Sequence, residues 1–380
     1  MSNPLIDVQK YGQSIWYDNI RRGMITSGDL QRMIDQDGLL GITSNPAIFE
    51  KAIAESGDYD PAIRAHVLQG VDSAMDIYER VAIEDIQLAA DVLRPTYEKT
   101  GHRDGFVSFE VSPYLAADTE GTVEYARRVH GWLGRENILI KVPGTPEGMP
   151  AIATLIGEGI SVNVTLLFSV EAYVACAKAY MEGLETWVGK GNDPSDVASV
   201  ASFFISRIDS LVDKKLEAAA AAAPEKKSDA ESLLGEIAVA NGLVAYDRYL
   251  ELVGSERWKA LAAKGARTQR VLWASTSTKN PAYSKTKYVD ELVGQDTVNT
   301  IPDETFKEYR VSGKPTPALQ DGWEAKLADA KAKMALLESL GVSISACTDE
   351  LLDDGVTKFS EAFDTLLKAI ENKRDVLKAA

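Results

Sequence analysis

The chain has 380 residues, 45% of them apolar and 26% charged, the composition of a soluble globular protein that can bury a large core. Its net charge of -16 argues against nonspecific binding to nucleic acid or anionic membranes, both of which need basic surface to neutralise phosphate. A phosphorylated small substrate stays open, because it needs only a few local cations.

In chain order, residues 14–18 read as a first strand ending in Asp18, in phase with Trp16. A helix is predicted over 27–35. Strand two, 39–43, runs into Gly41-Ile-Thr-Ser-Asn-Pro46 and places Thr43, Ser44 and Asn45 at its exit. A long helix over 62–93 precedes strand three, 105–111, which carries Glu110 inside an apolar run. After a helix over 122–133, strand four, 137–142, carries Lys141 the same way. Helix 146–156 leads to strand five, 160–165, where Ser161, Asn163 and Thr165 alternate with Val162, Val164 and Leu166. Helix 170–188 leads to strand six, 200–204, which presents Ser202 and Phe204 and runs on to Arg207. Helices over 206–223 and 229–252 flank Pro224, which stops the six alanines Ala218–Ala223. Strand seven, 270–275, ends at Ser275. Strand eight, 298–301, precedes helices over 318–340 and 359–379.

Near-continuous apolar strands separated by helices indicate a parallel sheet covered on both faces. Eight such units predict an α/β fold, a (β/α)8 TIM barrel with additional helices. A typical barrel takes about 250 residues. The surplus lies in helical excursions near 51–100 and 206–254 and in a C-terminal helical region, so residues 1–380 read as a single domain.

In such a barrel, catalytic groups cluster at the C-terminal ends of the strands. Lys141, flanked by Ile138, Leu139, Ile140 and Val142, should be partly withdrawn from water. Desolvation disfavours the ammonium and leaves some free amine, the nucleophile that attacks a ketone to give an imine. A structural lysine paired with Glu110 or Asp18, or one that holds a phosphate, is the plainer alternative. Asp18 could be a general base or an ordinary strand-end carboxylate, and Glu110 a proton shuttle or the counter-ion of Lys141. Asn45 and Asn163 offer donor and acceptor together, suited to ketol hydroxyls, although Asn45 before Pro46 also fits a helix start.

His66, His102 and His130 show no ligand-like spacing, so no metal is expected. Gly144-Thr-Pro-Glu-Gly148 lacks the dinucleotide fingerprint, and no cofactor is inferred. Two lone cysteines, Cys176 and Cys347, form no disulfide framework. The opening residues lack a signal-peptide layout, and no uncharged apolar run approaches the ~18 residues of a membrane span. A cytoplasmic protein without membrane or nucleic-acid partners is expected, with monomer and homodimer both open.

Four segments together resemble the transaldolase family: Gly41-Ile-Thr-Ser-Asn-Pro-Ala-Ile-Phe49, Ile138-Leu-Ile-Lys-Val-Pro-Gly-Thr-Pro-Glu-Gly-Met149, Asn163-Val-Thr-Leu-Leu-Phe-Ser169 and Ser202-Phe-Phe-Ile-Ser-Arg207. The resemblance spans about residues 18 to 279. It implies transfer of a dihydroxyacetone unit from a ketose phosphate, sedoheptulose 7-phosphate or fructose 6-phosphate, to an aldose phosphate in the non-oxidative pentose phosphate pathway. On that reading Lys141 forms the Schiff base and Asp18 takes the hydroxyl proton beside the breaking bond. Glu110 and Thr165 bind the water of imine formation. Asn45, Asn163 and Ser202 hold the three-carbon unit, Phe204 shapes the pocket, and Arg207 and Ser275 bind the phosphate. Shorter members place an arginine two residues beyond the strand-seven serine. Here Ser277 stands there, as in the longer branch, and Lys279 is the expected phosphate cation. A fructose-6-phosphate aldolase sharing fold and lysine, or a non-catalytic sugar-phosphate-binding barrel, are the competing readings. The acidic Glu110 fits the transferase pattern better than the tyrosine-bearing aldolase arrangement.

Overall fold

A computed structural model describes residues 3–379. Eight parallel strands, β1 (Gln13–Asp18), β2 (Gly41–Thr43), β3 (Phe106–Glu110), β4 (Ile138–Pro143), β5 (Val162–Leu167), β6 (Ser199–Phe204), β7 (Arg270–Ala274) and β8 (Thr297–Ile301), form a barrel in sequence order. It closes where β8 pairs with β1. β2 to β8 are buried at every position and β1 at all but its last, because helices cover the outside and side chains fill the inside. The expected (β/α)8 barrel with additional helices is the fold found.

Register decides what meets near the strand exits. Glu110 lies opposite Lys141, and Lys141 opposite Asn163, so one inward layer carries a carboxylate, an amine and an amide side by side. Towards the other end the interior is plugged. Arg270 reaches Asp104 at 3.0 Å and the hydroxyl of Ser14 at 2.8 Å, and Trp16 donates its indole N–H to Asp104 at 2.9 Å. Gly105 (φ +84°) turns the chain into β3 where a Cβ would lie 2.3 Å from the backbone nitrogen of Tyr97. Among the described residues, no helix is long and apolar enough to cross a membrane.

Several helix boundaries differ from the sequence reading. The helix expected over 62–93 is two, Asp60–Leu68 and Ala74–Lys99. Gly70 (φ +84°) breaks the first, and the hydroxyl of Ser73 accepts the N–H of Asp76 to start the second, which runs on past Pro95. The helix over 229–252 is likewise Lys227–Ser232 and Ile237–Gly254, with Gly235 (φ +73°) between them. That over 318–340 begins only at Trp323, after the left-handed Gly322. The last helix runs Ile344–Ala379, so Phe359 lies inside it instead of at its start. Helices at Pro46–Glu55, Glu256–Ala262 and Asp303–Ser312 go beyond the sequence reading.

Strand five alternates as expected up to Thr165. Leu166 then takes φ +60°, a left-handed conformation rare outside glycine, and the register with β6 shifts between Val164 and Leu167. The side chain of Leu166 faces Gly355 of the Ile344–Ala379 helix, where a Cβ would come within 3.0 Å. That helix also packs on Pro46–Glu55, Asp60–Leu68, Ala74–Lys99 and Ser206–Ala222, which carries it over the strand exits.

Candidate active site

Every strand except β3 contributes to one cavity at the C-terminal end of the barrel. Its lining includes Asp18, Thr43, Lys141, Thr165, Ser202, Phe204, Ala274 and Thr300, joined by Asn45, Arg207, Ser275, Ser277 and Lys279 from the segments beyond the strands. Two expected residues do not line it: Glu110 and Asn163 are buried beside lining residues, Glu110 next to Lys141 and Asn163 next to Ser202.

Lys141 is withdrawn from solvent, as its apolar flanks foretell. Its ammonium donates to the carbonyl of Ser44 at 3.0 Å and lies 3.1 Å from Oε2 of Glu110, an ion pair rather than a well-angled hydrogen bond. An ammonium has three donors, so a direction towards the cavity remains. The ring of Phe359, from the Ile344–Ala379 helix, stands 6.0 Å from the nitrogen and forms part of the cavity wall.

Burial pushes the Glu110 carboxyl above the usual carboxylate range, against the pull of the Lys141 charge. Asp18 is raised as well, again chiefly by burial. It is held back by Lys141, by the 2.7 Å hydrogen bond from the Thr43 hydroxyl, and by Arg207 and Lys279. The Thr43 hydroxyl also meets that of Thr300 at 2.6 Å, so β1, β2 and β8 fix the Asp18 oxygen jointly. Two carboxyls that gain a proton easily thus flank one lysine, an arrangement suited to moving protons at an imine.

Asn163 orients instead of facing the cavity. Its amide nitrogen donates to Ser108 at 3.1 Å and its oxygen accepts from Ser202 at 2.7 Å. Asn45 caps the Pro46–Glu55 helix, its oxygen accepting the N–H of Ile48 at 3.0 Å, which leaves its amide nitrogen to reach a ligand. The hydroxyl of Thr165 and one terminal nitrogen of Arg207 are buried without a protein partner. Unpaired buried polar atoms are costly, and both belong to residues of the cavity lining, where a bound molecule can satisfy them.

The cationic end is built from two elements. Arg207 lies over the ring of Phe204 at 5.3 Å, in the first turn of Ser206–Ala222. Burial lowers its pKa, while Asp354 and Asp18 oppose that shift. Lys279 is largely exposed, yet its ammonium leans in beside Arg207 and donates to Ser277 at 2.7 Å. Burial of that end, then the charge of Arg207, lowers its pKa too. Ser275 takes φ +54°, and its hydroxyl lies 3.1 Å from that of Ser206.

Thr300 and Phe359 line the cavity without having been expected there from the sequence. Thr300 is the last polar residue of strand eight, in phase with Val298, so inspecting that strand's end would have found it. Phe359 comes from a helix far along the chain, and no local pattern marks it. Among the described residues, no group of three or more His, Cys, Asp or Glu side chains is placed to hold a metal ion.

A model of the family described as Transaldolase/Fructose-6-phosphate aldolase matches residues 15–370. A transaldolase from Trichodesmium erythraeum (strain IMS101) is 46% identical over 379 residues, 98% of each chain. A transaldolase 2 from Nostoc sp. (strain PCC 7120 / SAG 25.82 / UTEX 2576) is 46% identical over 383 residues, 99% of this chain and 98% of its own. A transaldolase from Thermobifida fusca (strain YX) is 44% identical over 371 residues, covering 97% of this chain and 98% of its own.

Proposed function

The chain belongs to the transaldolase family, and on that premise we propose that Lys141 carries a dihydroxyacetone unit between sugar phosphates as a covalent imine. The protein is a transaldolase of the non-oxidative pentose phosphate pathway. The observation that carries the residue assignment is a buried lysine between Glu110 and a cavity whose wall holds Asp18.

The placement of these groups supports the following steps. Glu110, already inclined to take a proton, accepts one from the Lys141 ammonium, and the free amine adds to the ketose carbonyl. Loss of water from the carbinolamine gives the iminium, with the water held by Glu110 and Thr165. Asp18 then removes the proton of the hydroxyl next to the breaking bond. The carbon–carbon bond opens, its electron pair passes into the enamine on Lys141, and the aldose phosphate leaves. An acceptor aldose phosphate takes the same electron pair back as Asp18 returns the proton. Ser202, oriented by Asn163, and the amide nitrogen of Asn45 hold the three-carbon unit. Arg207, Ser275 and Lys279 bind the phosphate. Residues 1–380 act as one domain in this reading, in the cytoplasm, where free thiols such as those of Cys176 and Cys347 persist.

Borohydride reduction in the presence of fructose 6-phosphate tests the covalent step. A three-carbon adduct mapped to Lys141 is the expected product, and an intact protein with no adduct would sink the assignment.

Transfer requires the enamine to outlive the departing aldose. Phe359 covers the Lys141 nitrogen with an apolar ring, which keeps water from protonating and then hydrating the intermediate. Phe359→Ala is expected to raise the release of free dihydroxyacetone several-fold relative to transfer, as scored by product chromatography. An unchanged ratio would mean that the ring does not guard the intermediate.

Lys279→Ala should raise KM for fructose 6-phosphate by about tenfold, through loss of a charge-assisted hydrogen bond. It should also move the acidic limb of kcat/KM upward. Asp18 must be ionised to act as base, its pKa is already raised by burial, and Lys279 is one of the charges holding it down. A pH profile identical to that of the parent would place Lys279 outside the site.

A further inference from the structure

Arg207 and Lys279 line the same end of the cavity and, as like charges, repel each other; burial first and then the charge of Arg207 lower the Lys279 pKa. Arg207 is fixed by a helix, whereas Lys279 sits on the loop between β7 and β8, so holding the two side by side against their repulsion requires the loop to be anchored. From Ser277 to Ala282 the side-chain hydrogen bonds stay within the loop itself: Lys279 to Ser277, Thr278 to the carbonyl of Ser284, and the N–H of Ala282 to Asn280. An exposed ion pair between Lys285 and Glu308, at 3.6 Å, adds little.

Tyr283 provides a half-buried tie to the body of the fold. Its hydroxyl donates to Oδ2 of Asp213 at 2.7 Å, and the other oxygen of Asp213 accepts the N–H of Gly235 at 2.9 Å. Gly235 is at φ +73°, and a Cβ there would lie 2.6 Å from the Tyr283 ring, so its missing side chain is what seats the ring. One turn earlier on the same helix, Asp209 repeats the motif with the hydroxyl of Tyr288 at 2.8 Å and the N–H of Ala238 at 2.7 Å, anchoring the far end of the loop. Asp213 and Arg207 both belong to Ser206–Ala222.

We propose that Asp213 and Tyr283 are positioning residues for the substrate phosphate, through which the Ser206–Ala222 helix sets the place of Lys279 as well as that of Arg207. The proposal rests on the reading of Lys279 as a phosphate cation. One rigid helix then determines the separation of two charges drawn from different parts of the chain, and the site is pre-organised against their repulsion before any substrate arrives.

Tyr283→Phe removes the hydroxyl and leaves the ring on Gly235. With unphosphorylated glyceraldehyde as acceptor, KM for fructose 6-phosphate should rise about tenfold, the size of one hydrogen bond to a charged acceptor, with kcat little changed. The kcat/KM for free fructose as donor should not move, and Tyr283→Phe should cost nothing further in a Lys279→Ala background. Equal losses with fructose 6-phosphate and free fructose, or additive losses in the double variant, would overturn the tether. If Lys279→Ala raises KM and Tyr283→Phe does not, the tether is wrong and the phosphate role stands. If neither raises KM, the phosphate role itself falls and takes the tether with it.

Discussion

Lys141→Arg abolishes turnover, with kcat reduced on the order of 10⁴-fold or more, the scale of losing a covalent nucleophile. Arginine keeps the positive charge beside Glu110, so the carboxylate is not left alone in the barrel interior. A guanidinium does not give up its proton near neutrality and cannot form the imine. The variant therefore separates chemistry from folding better than alanine, which would strand a buried acid. The checks are a coupled transfer assay, borohydride trapping and a thermal melt. A folded variant with substantial turnover would show that another amine carries the intermediate.

Asp18→Asn is expected to cut kcat by about 10²- to 10⁴-fold, the range for loss of a general base. Asparagine can still accept the hydrogen bond from Thr43, so the local geometry should survive. Imine formation depends on Lys141 and Glu110 and should continue, whereas opening of the carbon–carbon bond should stall. The trapped species then changes character. Reduction with fructose 6-phosphate should yield the six-carbon phosphorylated adduct on Lys141 in place of the three-carbon one, a difference that intact-protein mass reads directly. A three-carbon adduct formed at the parental rate would remove Asp18 from the bond-breaking step.

The barrel was readable because each strand is a short apolar run whose inward polar residue stands out against it. Lys141 and Glu110 are visible for the same reason, since a charge amid Ile, Leu, Val and Phe has no ordinary place to go. Helix ends were less legible. Gly70 and Gly235 break two apolar periodicities that continue on either side, and a 3.6-residue pattern does not reveal a left-handed residue within it. Asn163 looked like a ligand donor because the alternation of strand five points it inward. Depth along the barrel, which decides whether it meets substrate or Ser202, depends on register with β4 and β6. Thr300 was within reach of the same strand-end reasoning. Phe359 was not, because its approach to Lys141 is a tertiary contact between residues more than 200 positions apart.

The Ile344–Ala379 helix has a consequence for the order in which the protein becomes an enzyme. Synthesis runs from the N-terminus, so β1 through β8, with Lys141, Asp18, Arg207 and Lys279, emerge before the helix that lies over them. A nascent barrel can assemble its reactive groups and still lack its apolar cover, leaving an open amine in a wet pocket. On the proposed role of Phe359, competence for transfer, as opposed to simple cleavage, comes later than the barrel itself, once the Ile344–Ala379 helix has emerged and docked.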